Sequence, residues 1–169
     1  MNDADQPKTK LLLADANILI DLAKADSLGL IGDLIRHALA EVYIPRTIYD
    51  EVAFEVSETQ IAELGITILS VAKELTARAL AYPDVCLSPP DRVLLLMASE
   101  NGYGAWTNDK KLRANCRLMN VSVYQEFEIL RELVTNGYLA KEALVAIARK
   151  EDESNPYEKG VADDLEKTL

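Results

Sequence analysis

Leu11-Leu12-Leu13-Ala14, followed at once by Asp15, constrains the fold more than any other stretch of the chain. Four apolar residues without alternation describe a strand covered on both faces, a property of parallel sheets. Parallel neighbours need crossover segments, normally helices, and the sequence supplies them. Apolar residues recur at helical spacing from Ile18 to about Ala25 and from Leu28 to Ala40. Glu41 to Ile44 reads as a second strand closed by Pro45, and Thr47 to about Val56 as a helix with Ile48, Val52 and Val56 on one face. Gly65–Leu69 reads as a third strand and Ala72–Ala81 as a helix. Ser88-Pro89-Pro90-Asp91 opens the next helix, with a capping hydroxyl, prolines in the first turn and an acid at the positive end. That helix runs to about Glu100 and stops at Asn101-Gly102. Tyr103–Thr107 is a fourth strand, Asp109 to about Leu118 a helix, and Val121–Val123 a fifth strand. Helices near Glu126–Val134 and Ala140–Arg149 lead into an acidic tail.

This rhythm predicts an α/β fold, a three-layer α/β/α arrangement around a parallel sheet of about five strands, with added C-terminal helices. Residues 1–10 read as a flexible N-terminus, 11–124 as the core, and 125–169 as helices and acidic tail on the same domain. No apolar run approaches the roughly 20 residues that span a bilayer. The opening MNDADQPKTK reads as neither signal nor transit peptide, so a cytoplasmic location is expected. Cys86 and Cys116 are the only cysteines and His37 the only histidine. That inventory excludes a cysteine–histidine zinc site or a histidine-based triad, and the cysteines read as reduced structural residues.

A net charge of −10 is unusual for a phosphate-binding protein, because Lys and Arg normally drive that association. Its distribution changes the picture. From Glu151 onward seven acids face two lysines, half of the excess, whereas Lys110–Arg117 (KKLRANCR) holds four bases and no acid. Lys110, Arg113 and Arg117 share one helical face. They form either a phosphate rail or an ordinary solvated surface.

In open parallel sheets, ligands gather beyond the carboxyl ends of the strands. Asp15 and Asp109 close two strands, Asp91 opens a helix feeding the second of these, and Glu51 lies one turn into the helix after another. Four carboxylates brought together repel one another unless a cation joins them. Oxygen ligands suit Mg²⁺ or Mn²⁺, which activates a water and so removes the need for a protein nucleophile. Each acid also has a plain structural reading. Asp91 completes an S-x-x-D capping box, Asp109 caps the KKLR helix, and Glu51 faces solvent. Asp15 is the hardest to explain that way.

Asp15-Ala16-Asn17 after a buried strand, Thr47 and Glu51 four residues apart, Asp91 opening RVLLLMASENG, and Thr107-Asn108-Asp109 together resemble the successive motifs of the PIN-domain family. The likeness spans Leu11 to Tyr124. It implies that Asp15, Glu51, Asp91 and Asp109 form an acidic quartet, with Asn17 and Thr107 orienting ligands or contacting phosphate. It further implies Mg²⁺- or Mn²⁺-dependent cleavage of RNA. As in many members, it also implies a toxin role with an antitoxin partner, and a homodimer. FEILRELVTNGYLAKEALVAIARK extends beyond compact VapC-like chains and is similar to C-terminal helices of stand-alone bacterial and archaeal PIN proteins. The alternatives are an inactive interaction module on the same fold, or another Mg²⁺-dependent phosphate-handling α/β domain. A dehalogenase-type phosphatase needs Asp-x-Asp where this chain has Asn17, and a receiver needs an acidic pair that is absent after Leu13.

Overall fold

The leucine run becomes the middle strand of the sheet, with Leu11, Leu12 and Leu13 all at 0% exposure in the computed structural model, which describes residues 8–83, 86–154 and 160–169. This strand, β1 (Thr9–Leu13), pairs in parallel with β2 (Ala40–Pro45) on one side and β4 (Gly104–Trp106) on the other. β3 (Thr67–Leu69) lies outside β2, and β5 (Val123–Tyr124) outside β4, giving the order β3-β2-β1-β4-β5. The all-parallel five-stranded sheet flanked by helices is the architecture predicted from the strand–helix rhythm.

Helices α1 (Ala16–Lys24) and α2 (Gly29–Arg36) connect β1 to β2. The second is shorter than its apolar spacing predicts. Ala38 turns left-handed at φ 58°, and Ala40 is already paired with Thr9 in the sheet, so tertiary pairing ends the helix early. His37 caps α2 and stacks on Tyr138 with ring centroids 3.6 Å apart, a packing role. α3 (Arg46–Val52) buries Ile48, Tyr49 and Val52, and α4 (Glu58–Leu64) follows it. The apolar pattern does not predict α4, although Ser57 and Gln60 form a complete capping box and Gly65 ends it in a left-handed turn.

α5 (Lys73–Leu80) packs against α6 (Pro89–Asn101), which has the predicted Ser88 cap and ends at Gly102 with φ 69°. Gly104 has a different reason to be glycine. A Cβ there would come within 2.5 Å of the Tyr124 ring, so the ring would have to move from its place beside β4. α7 (Lys110–Leu118) leads to β5, and α8 (Glu126–Thr135) packs on α2 and on α9 (Lys141–Ser154). The acidic tail contains a further helix, α10 (Val161–Thr168), docked on α9 through Ala162 and Leu165. Asp152 receives the Val161 and Ala162 amides at its start, while Arg131 and Lys141 donate to the Thr168 and Glu166 carbonyls near its end.

Cys116 is buried, which pushes its thiol up to about 11 and leaves it unreactive at neutral pH, whereas Cys86 is exposed. Among the described residues no helix is long and apolar enough to cross a membrane.

Candidate functional site

Strand order runs 3-2-1 and then 4-5, so the sheet reverses direction of growth between β1 and β4. At such a reversal the connections leave to opposite sides and open a crevice beyond the carboxyl ends. Leu13 pairs with Trp106, and the Ala14 amide continues the ladder to the Trp106 carbonyl at 3.0 Å. Both strands therefore end level, and Asp15 leaves the sheet beside Thr107, Asn108 and Asp109.

Asp15 is the N-cap of α1. One carboxylate oxygen accepts the Asn17 amide at 3.0 Å and the other the Asn108 amide at 3.2 Å. The first bond holds Asp15 to its own helix; the second ties it across the crevice. Asp109 is the N-cap of α7, accepting the Leu112 amide at 2.6 Å, and its own amide donates to the Thr107 hydroxyl at 3.0 Å. Asp91 sits in the first turn of α6, its carboxylate 2.5 Å from the Ser88 hydroxyl and accepting the Ser88 amide. Because α6 enters β4 through Gly102 and Tyr103, its first turn lies toward the same carboxyl edge. Three of the four acids thus mark three helix starts at one edge of the sheet.

Glu51 stands apart from them, exposed on the solvent side of α3 beside the equally exposed Asp50. Among the described residues, no group of three or more Asp, Glu, His or Cys side chains stands close enough to hold one metal ion. The convergence expected of all four carboxylates is not reached. Glu51 points away from the buried face of its helix, and Asp91 and Asp109 are turned to their own helix starts, whereas Asp15 also reaches across the crevice to the Asn108 amide. The donor chemistry still fits a hard divalent cation. All donors are oxygens, and a carboxylate has about four lone-pair sites, of which a capping bond uses one or two.

The remaining sequence candidates separate clearly. Thr107 is fully buried, so its hydroxyl shapes the Asp109 turn rather than meeting a ligand. Asn17 contributes its main-chain amide and leaves its side chain in solvent. Lys110 and Arg113 line a cavity of about 460 Å³ with Asn108, beneath the C-terminal helices; Arg117 is exposed outside it.

Two further residues of that cavity are not evident as site residues from the sequence. Asp21 lies one helical turn beyond Asn17, on the same side of α1. Its pKa is raised by burial; Lys24, 3.7 Å away, lowers it, and the Asp15 charge raises it further. Glu126, the first residue of α8, is only 2% exposed and is hydrogen-bonded to Asn108. The Asn17–Asp21 spacing is a usable signal for the first. Nothing local distinguishes the second.

A parallel sheet with acids flanking its switch point is an α/β arrangement that several families share. The model of a family described as DUF3368, PIN domain, matches residues 11–156, a span that takes in α8 and α9 as well as the sheet from Leu11 on, and the chain belongs to that PIN-domain family. No curated protein matches it in sequence. A PilT N-terminus domain protein from the hyperthermophilic archaeon Sulfolobus solfataricus P2 has a similar solved structure, with 11% identity, a TM-score of 0.49, and coverage of 73% of this chain and 92% of that one.

Proposed function

We propose that the protein is a metal-dependent ribonuclease that hydrolyses phosphodiester bonds, with Asp15 and Asp109 as the principal acids and Asp91 at the same edge of the sheet; Glu51, which faces solvent on α3, belongs to the set by motif order alone. The observation that carries this reading is Asp15 itself. It is a carboxylate just beyond three fully buried strand residues, Leu11, Leu12 and Leu13, at the sheet's switch point, held from both sides by main-chain amides, next to the loop that presents Asp109. Such an acid contributes nothing to the apolar core below it, and its repulsion with Asp21 opposes folding. A cation offsets that repulsion. Bound there, Mg²⁺ or Mn²⁺ would lower the pKa of a water and neutralise charge developing on the phosphoryl oxygens. The chain's own part is to hold the carboxylates still and to bring the RNA backbone alongside.

The test is cleavage of single-stranded RNA by the purified protein with Mg²⁺ or Mn²⁺ and with excess chelator. Cutting that requires the cation and leaves a 5′-phosphate and a 3′-hydroxyl is expected. Absence of cutting, or cutting indifferent to the chelator, would overturn the reading. An interaction module on the same fold needs none of the acids, and would show no rise in melting temperature with Mn²⁺.

Lys110 and Arg113 belong to this proposal as phosphate contacts at the mouth of the crevice. Lys110→Glu with Arg113→Glu should weaken RNA binding. It should also reduce the slope of log affinity against log salt by about 1.4, since each single-strand phosphate contact contributes about 0.7. The Mn²⁺-induced rise in melting temperature should persist. Fluorescence anisotropy over a salt series measures both quantities, and an unchanged affinity would remove these residues from the site. Arg117 lies outside the cavity, so Arg117→Glu should have the smaller effect.

A further inference from the structure

Glu126 presents a problem of burial. It is 2% exposed, and a carboxylate taken out of water is costly unless hydrogen bonds compensate. Part of that compensation comes from Asn108, eighteen residues earlier in the chain. Asn108 Nδ2 donates to Glu126 Oε2 at 3.2 Å, and the Glu126 amide donates to Asn108 Oδ1 at 3.2 Å. Both ends of the Asn108 amide are thus engaged by one residue, which fixes the side chain and leaves one orientation satisfying both bonds. The start of α8 favours the negative charge, because helix N-termini carry partial positive charge.

The consequence lies on the other side of Asn108. Its main-chain amide donates to Asp15 Oδ2, and the next residue is Asp109. One loop position therefore contacts both halves of the crevice. Its side chain is anchored to α8, its backbone grips the acid after β1, and its successor is the acid after β4. Asp15 already has one amide from its own helix, which leaves the carboxylate free to swing about that bond. The Asn108 amide supplies the second point that fixes its plane.

We propose that Glu126 is a positioning residue of the site, acting through Asn108 to set the orientation of Asp15 and its placement relative to Asp109. The inference rests on the metal-dependent reading above and deepens it. It assigns to α8 a role in the site that its sequence pattern does not indicate. Partners that orient metal ligands typically cost 10- to 100-fold in metal affinity or activity when removed.

Mn²⁺ affinity read from the free-ion EPR signal, together with kcat and KM on single-stranded RNA, tests this in the full-length protein. The variants are Glu126→Ala, Glu126→Gln and Asn108→Ala. Ser57→Ala, which removes a helix cap remote from the crevice, is the control for general loss of stability. Expected are a loss of Mn²⁺ affinity of about tenfold or more in Glu126→Ala and Asn108→Ala, and a lower kcat with KM little changed. Glu126→Gln, which retains an oxygen to accept from Asn108 Nδ2, should recover most of both. Parent-like Mn²⁺ affinity and kcat in folded Glu126→Ala would overturn the inference and leave Glu126 as a helix-end residue only. If Glu126→Ala does not fold, Asn108→Ala, on a half-exposed loop, breaks the same link and decides the question by the same measurements. A parent protein that binds no Mn²⁺ would overturn the metal reading itself, and this inference with it.

Discussion

Asp15→Asn should abolish RNA cleavage while leaving the protein folded, a fall in kcat/KM of roughly a thousandfold or more, equivalent to about 4 kcal/mol of lost transition-state stabilisation. The fold survives because asparagine is as good an N-cap as aspartate and can still accept the Asn17 amide. It cannot accept from both sides, since one carboxylate oxygen becomes an amide nitrogen, so the bond to the Asn108 amide is lost. The Mn²⁺-induced rise in melting temperature should disappear with the activity.

The metal-free variant should also differ in its pH dependence. Asp21 has a raised pKa, so the folded chain takes up that proton more readily than the unfolded chain. The associated stability is present in acid and is lost as pH rises through the raised value. Burial is the main cause and Asp15 a smaller one, so Asp15→Asn should shrink this dependence without removing it. Thermal melts across the acid range, with and without Mn²⁺, would measure both effects. Cleavage at the parent rate would sink the assignment of Asp15 to the site.

The largest loss of stability is expected from Trp106→Ala, about 3–5 kcal/mol as for other large aromatic truncations in cores. Trp106 is fully buried at the end of β4, paired with Leu13 on one side and Tyr124 on the other. At roughly 2–4 °C per kcal/mol for a chain of this size, the melting temperature should fall by about 6–20 °C. Trp106→Phe is an informative companion. The indole Nε1 is buried without a hydrogen-bond partner among the described residues. Phenylalanine keeps an aromatic ring and removes that orphan donor, so its cost should be well below that of alanine. Urea or thermal denaturation distinguishes the two, and an alanine variant within about 1 kcal/mol of the parent would contradict the packing described for β4.

What the sequence discloses and what it conceals follow from the range of the interactions involved. The leucine run, the Ser88 cap and the acids after β1 and β4 are local signals, because burial on both faces and helix capping leave marks within a few residues. α4 is also written locally, in its capping box, but it buries only Ile61 and so shows no apolar stripe. α10 reads as a solvated acidic run because its buried footprint is two small or medium side chains, Ala162 and Leu165. Glu126 reads as an ordinary surface glutamate, and its burial exists only once Asn108 is brought against it from another element. The convergence of Glu51 with the other acids rests on motif order alone. α3 instead turns Ile48, Tyr49 and Val52 inward and leaves Glu51 outside.

The three acids that begin helices at the carboxyl edge have a consequence for the protein before any ion arrives. Each sits where aligned peptide dipoles leave a partial positive charge, worth about 0.3–1 kcal/mol apiece to a neighbouring anion. Asp15 and Asp109, as N-caps, and Asp91, within its capping box, are therefore partly neutralised by the backbone of α1, α7 and α6. A standing field supplied by the fold thus makes negative charge tolerable at the crevice, so the cation would complete an electrostatic arrangement already begun by the main chain.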